Sequence, residues 1–171
     1  MSSDLLKRAG LFIVFVLAQA MVLGHIHLFN CATPLFYVYF VTMFPRNYPK
    51  WGILLWGFFM GLFIDIFFNT PGLASASLTL IAAVQPYYFG LFVPHDSVDN
   101  LQPSLSAIGT VKYSYYIIAL VLLYCLVFYT LEIFSFRGFG GVLLATICST
   151  LATAVLIVIY QALFIRRKEE S

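Results

Sequence analysis

The chain has 171 residues, 62% of them hydrophobic and 9% charged, with nine Lys or Arg against seven Asp or Glu and a net charge of +2. A soluble globular domain carries about 25% charged residues, so this composition excludes one: most of the exterior has to face lipid rather than water. A spanning helix takes ~20 apolar residues, which caps the chain at about six or seven crossings in a single domain over residues 1–171.

Lys7 and Arg8 precede the first apolar run, and a helix is expected over 9–24. Gly24-His25-Ile26-His27 interrupts the run, and a second helix is expected over 28–44. After the polar loop Pro45-Arg46-Asn47-Tyr48-Pro49-Lys50, a third helix covers 51–68 and ends at the tight turn Asn69-Thr70-Pro71-Gly72. A fourth covers 72–93, and 94–112 forms the longest polar loop. Helices over 113–134 and 141–165 follow, and Arg166-Arg167-Lys168-Glu169-Glu170 closes the chain. The expected fold is thus an all-α polytopic membrane protein with six transmembrane helices.

Charge orients it. With six crossings and a cytoplasmic N-terminus, Lys7, Arg8, Arg46, Lys50, Lys112, Arg166, Arg167 and Lys168 all lie inside and only Arg137 lies outside, in keeping with the positive-inside rule. Both termini are therefore expected in the cytoplasm; a re-entrant second run would invert the later loops. Ala18-Gln19-Ala20 has the small-x-small form of a signal-peptide cleavage site. The apolar character continues past it, and its removal would spoil the charge balance, so the segment is read as retained.

Inside a membrane the informative residues are the polar ones. Asp65 lies among Phe63, Ile64, Ile66 and Phe67 with no neutralising neighbour in sequence. An Asp at a helix centre costs about 2.5–3.5 kcal/mol on insertion; here, within a turn of the helix end, it should cost less. Gly57, Gly61 and Asp65 recur every four residues and share one helix face, the glycine pair forming a GxxxG that permits close helix approach. Two readings stand: a packing seam ending in a carboxylate open to a partner, a proton or a cation, or an internal cap bonded to the turn at Asn69 to Gly72. The next helix opens with Ala74, Ser75, Ala76, Ser77 and Thr79, a density of small residues suited to the Gly57/Gly61 face. Gln85-Pro86 predicts a kink, since the proline cannot donate to the Ala82 carbonyl. The pair either lines a cavity or forms a satisfied bend.

The remaining polar residues carry less. His25 and His27 point about 200° apart in a helix, against a shared metal. Gln19 and Gln161 are expected to bond across helices, and Glu132 and Arg137 to meet near the last outer turn. Trp51, Tyr48, Tyr113, Tyr115 and Tyr116 lie near run ends and read as an interfacial aromatic belt. Cys31, Cys125 and Cys148 form no CxxC pair and read as packed or lipid-facing thiols. His95, Asp96, Asp99 and Gln102 in the long loop make no recognisable motif, and no GxSxG, HExxH or Walker signature occurs. No enzymatic activity, cofactor, metal or nucleic-acid partner is expected.

The stretch Trp56-Gly57-Phe58-Phe59-Met60-Gly61-Leu62-Phe63-Ile64-Asp65, followed by Pro71-Gly72-Leu73 and a small-residue helix, resembles the signature of the MreD family of rod shape-determining membrane proteins. Gln19 near the end of the first helix, Pro34 opening the second and the basic tail agree with that family; Gln85-Pro86 and the long loop after the fourth helix depart from it. The specific resemblance spans about Gln19 to Ala83. It implies a non-enzymatic scaffold in the bacterial cytoplasmic membrane that maintains rod shape by organising lateral peptidoglycan synthesis. The partners it implies are MreC and, through it, MreB, RodA and a class B penicillin-binding transpeptidase. On this reading Gly57, Gly61, Asp65 and Gly72 hold the third and fourth helices in a shape that docks the single membrane helix of MreC. The family is also similar in helix arrangement to substrate-binding subunits of energy-coupling-factor (ECF) vitamin transporters, which supplies the alternative: a small-molecule-binding transporter subunit.

Overall fold

A computed structural model of the chain describes residues 2–21, 35–93, 103, 108–136 and 142–169. His25, His27, Cys31, Pro34, His95, Asp96, Asp99, Gln102 and Arg137 lie outside the described residues. Among the described residues six helices of five residues or more run in the order α1 (Ser2–Met21), α2 (Val38–Thr42), α3 (Lys50–Phe68), α4 (Leu73–Phe92), α5 (Thr110–Phe136) and α6 (Val142–Glu169), and no strand occurs. Two segments, Lys50–Phe68 and Thr110–Glu132, are long and apolar enough to cross a membrane.

The helix ends follow local chemistry. Pro49 precedes α3 with an extended backbone, as a proline that cannot continue a helix backwards should. Asn69 ends α3 in the left-handed conformation (φ 54°, ψ 41°), sending its N–H to the Asp65 carbonyl. Such a left-handed residue is a common helix stop, because it turns the chain while satisfying a terminal carbonyl. Gly72, at φ 86°, then starts α4 in a conformation that a side chain would strain. α5 and α6 run beyond the apolar stretches read from sequence, because a helix continues into polar residues once its backbone bonds are started.

The second element differs most from expectation. A helix was expected over 28–44; in the described part of that span the α-helix is five residues long, about 7.5 Å at 1.5 Å per residue. It is entered by i+3 turns, with Val38 N–H donating to Leu35, Tyr39 to Phe36 and Phe40 to Tyr37. It stops before Pro45, which disfavours helix at the residue ahead of it. Every residue from Tyr37 to Thr42 is buried, so α2 has no outward face.

Around α2 the other helices pack with an apolar interior and an apolar exterior. Ile53 and Met60 of α3, Leu78 and Ile81 of α4, Ile117 and Val121 of α5 and Ile157 of α6 are fully buried. Outward, at helical spacing, stand Leu55, Phe59 and Phe63 on α3, Ile118, Leu122 and Leu126 on α5, and Leu151, Val155 and Ile159 on α6. In each candidate span 39% of the most apolar 18-residue stretch is buried inside the protein. A helix apolar all round is a core helix of a large protein or a membrane span; the described residues do not enclose these two. α1 joins through aromatic edges, Phe12 against Phe40, Trp56 and Phe63, and Phe15 against Phe36, Tyr39 and Phe40.

The most extensive helix pair is the antiparallel α3–α4 hairpin. A Cβ on Gly57 would lie 2.9 Å from the Ala82 Cβ and 3.2 Å from the Leu78 carbonyl oxygen. On Gly61 it would lie 2.3 Å from the Ser75 Cα and 2.6 Å from the Ala74 carbonyl oxygen, inside the neighbouring backbone. Gly61 thus admits no side chain without prising the hairpin open. Gly61→Ala is expected to destabilise the purified protein by about 1–3 kcal/mol, the usual cost of overpacking, seen as a lower melting temperature in detergent. Gly10→Ala, at a helical glycine with nothing within 4 Å, should leave it unchanged or raise it by roughly 0.5–1 kcal/mol. Equal effects of the two substitutions would contradict this packing.

Candidate functional site

The charged residue buried in the described helices is Asp65, 7% exposed at the last turn of α3. Its two carboxylate oxygens reach across the turn to the start of α4. Oδ1 accepts from the Thr70 hydroxyl at 3.0 Å and the Ala74 N–H at 2.8 Å; Oδ2 accepts from the Ser75 N–H at 2.9 Å. The first turn of any helix has N–H groups without an intrahelical partner, and the residue at the cap normally supplies a side-chain oxygen. Here that position is Gly72, which has none. Asp65 performs the capping from the preceding helix, where its negative charge also faces the positive end of the α4 dipole. The Asp65 carbonyl accepts the N–H groups of Asn69 and Thr70, the latter at 3.1 Å, so one residue closes α3 and opens α4.

Gly57, Gly61 and Asp65 therefore lie on one seam against α4, and Gly72 lies in the turn at its end. Beside that end is a shallow groove of about 520 Å³ lined by Leu62, Asp65, Ile66, Asn69, Pro71 and Gly72, among others. Among the described residues no cluster of three or more His, Cys, Asp or Glu converges, at Asp65 or elsewhere. Three of the roughly four acceptor positions of the carboxylate are already used within the chain. What the arrangement does chemically is hold two helices at backbone contact and terminate both.

A second polar cluster surrounds α2. Its C-terminal carbonyls need donors, since a helix leaves its last four C=O groups unpaired. The Tyr116 hydroxyl of α5 donates to the Thr42 carbonyl at 3.1 Å, and the Gln85 amide of α4 donates to the Phe44 carbonyl at 3.2 Å and to the Tyr116 hydroxyl at 3.1 Å. At the other end of α2 the Leu35 N–H donates to the Thr153 hydroxyl of α6 at 3.0 Å. Gln161 of α6 donates to the Tyr39 hydroxyl at 2.6 Å, and the Tyr37 and Tyr124 hydroxyls bond to one another. Pro86 lies inside α4, which continues through it to Phe92; the Gln85 NH₂ is used within the bundle while its Oε1 is buried without a partner.

Tyr113 and Tyr116 depart from the expected aromatic belt. Both are fully buried, whereas Tyr115 between them is 66% exposed. The missed signal is spacing: 113, 116, 120 and 124 share one helical face, and it turns inward. Trp51 is exposed, and Tyr48 sits half-buried under the Arg8 guanidinium, which lies 4.6 Å from its ring centre and 4.9 Å from that of Phe44. Cys125 is buried and Cys148 half-buried, both free.

Comparison with family models, with curated proteins and with solved structures finds no match to this chain. The physical account therefore rests on the two clusters. Asp65→Asn replaces one capping oxygen by an NH₂ that faces an N–H, and should cost about 1–3 kcal/mol, the penalty of an unpaired buried group. Tyr116→Phe, which strips the Thr42 carbonyl of its donor, should cost a similar amount by the same mechanism. Thermal unfolding checks both; an Asp65→Asn variant as stable as the parent would refute the capping role.

Proposed function

We propose that the chain is an MreD-like scaffold of the elongasome, a protein of the bacterial cytoplasmic membrane that crosses six times, its second crossing completed by the short α2 instead of a full-length helix, with both termini inside, and that it organises lateral wall synthesis without catalysing a reaction. The observation that carries the proposal is the α3–α4 hairpin: two glycines four residues apart at backbone contact with α4, then an aspartate that caps it. This is the part of the chain whose sequence resembles the family signature.

The arrangement of charge supports the orientation. Arg8 rests on Phe44 and Tyr48, Lys50 lies over the Tyr87 ring, and Tyr116, one turn after Lys112, bonds to Thr42. These contacts gather Arg8, Lys50 and Lys112 at one end of the bundle and leave Asp65 at the other, the asymmetry expected if the basic end is cytoplasmic. α4 lacks the hydropathy of α3, yet its side-chain donors are occupied internally: Ser77 and Thr79 donate to the carbonyls of Leu73 and Ser75, and the Gln85 NH₂ donates to the Phe44 carbonyl and to Tyr116 of α5. A helix with its donors satisfied in this way can sit in a bilayer.

In this reading the hairpin presents the groove beside Asp65, Ile66 and Asn69 to the membrane helix of MreC, and MreC links the scaffold to MreB, RodA and a class B penicillin-binding transpeptidase. The alternative, a ligand-binding subunit of an energy-coupling-factor transporter, needs an enclosed site with several polar groups. The groove beside Asp65 is open and shallow instead, which favours the scaffold.

Affinity purification from native membrane should recover MreC and RodA; recovery of an ATP-driven coupling module instead would overturn the proposal. Gly61→Leu and Asp65→Asn should weaken the association with MreC. Ile66→Trp, at a position 66% exposed, should weaken it with no loss of thermal stability, which separates docking from folding.

A further inference from the structure

A second groove runs along the outer side of the α3–α4 hairpin, about 480 Å³ in volume, between Leu54 and Phe58 of α3 and Ser75, Ala76, Thr79, Leu80 and Ala83 of α4. Its walls are almost wholly apolar. Two hydroxyl-bearing residues line it: Thr79, whose hydroxyl donates to the Ser75 carbonyl at 2.6 Å and offers no hydrogen to an occupant, and Ser75, at the end nearest Asp65. The groove therefore suits an aliphatic chain and offers little to a polar ligand.

What lies at its end names the rest of the occupant. Lys50, Leu54 and Phe58 follow at intervals of four on α3, and Tyr87, Ala83 and Ala76 lie along the facing stripe of α4, so both walls lead to Lys50 and Tyr87. The Lys50 ammonium lies 4.2 Å from the centre of the Tyr87 ring, and the two residues stand one helical turn beyond Leu54 and Ala83, the last lining residues on that side. Both side chains are exposed, and among the described residues no carboxylate pairs with Lys50. An ammonium held on an aromatic face still has donors to give, and at a membrane surface an anionic headgroup meets that need.

We infer that this groove is a binding site for one anionic phospholipid, its acyl chain lying between Phe58, Thr79 and Ala83 and its phosphate against Lys50. The inference rests on the membrane placement proposed above, but on neither MreC nor the family resemblance. Charge complementarity at the mouth selects the lipid over a second copy of the chain or a partner helix, neither of which needs an anion there.

The test uses the full chain purified in non-ionic detergent, with phosphatidylglycerol or phosphatidylcholine of matched acyl chains added and retained lipid counted by native mass spectrometry. One phosphatidylglycerol should be retained about fivefold more strongly than phosphatidylcholine, the factor expected for one lysine at a membrane surface. Lys50→Gln should abolish the preference, and Ala83→Phe, at an exposed position, should expel the lipid by filling the groove. Lys112→Gln, outside the groove, should change neither. Equal retention of the two lipids by the parent protein, or the same loss in Lys112→Gln, would overturn the inference; so would a dimer that Ala83→Phe dissociates, which would make a second copy the occupant. Flotation with phosphatidylglycerol vesicles separates the levels: a chain that does not float refutes the membrane placement as well, whereas one that floats without lipid preference refutes this site alone.

Discussion

Every helix end leaves backbone groups without a partner, and in an apolar surrounding water is not there to take them. That constraint governs which polar side chains this chain keeps. With only 9% charged residues, it has few to spend on surface contacts, and the buried ones sit where a helix starts or stops. Asp65 takes three donors at the α3–α4 turn, two of them backbone N–H groups of α4. Tyr116 and Gln85 supply donors to the last carbonyls of the α2 region, and Thr153 takes an N–H at its beginning. Several polar residues that look scattered in sequence thus share one kind of task, while others, such as Tyr37 with Tyr124 and Gln161 with Tyr39, tie side chains of different elements together.

The geometry of the hairpin follows from this. Capping α4 from α3 is possible only if the two helices touch, and they touch because Gly57 and Gly61 carry no side chain. Contact in turn needs a tight turn, which Asn69 and Gly72 provide through their positive φ. Glycine stripe, turn and carboxylate are interdependent, since removal of any one leaves the others without their purpose. A rigid hairpin with an apolar outer face is a suitable surface for another membrane component, whether a protein helix at the Asp65 end or a lipid at the Lys50 end.

Much of this hairpin is legible in the sequence, because period-four spacing of small residues needs no knowledge of distant parts of the chain. The boundaries of α3 and α4 are sharp there for the same reason, set by Pro49 and by the Asn69 to Gly72 turn. The sequence also left the role of Asp65 open between a cap and a ligand; what it lacked was the location of the free N–H groups, which depend on where α4 begins. The short α2 was much less legible. An apolar run is equally compatible with one long helix and with a short buried one, and only the surrounding helices distinguish them. The burial of Tyr113 and Tyr116 escaped for a related reason: a tyrosine near the end of an apolar run suits a membrane interface, and the inward direction of its face appears only when the whole helix is phased.

The central claim, that a carboxylate on one helix satisfies the first N–H groups of the next, is tested most directly by amide hydrogen exchange at Ala74 and Ser75 in detergent or nanodiscs. The account expects both amides to be protected in the parent protein and to exchange faster in Asp65→Asn, with the mid-helix amides of α3 little changed. Unchanged protection of Ala74 and Ser75 in that variant would contradict it.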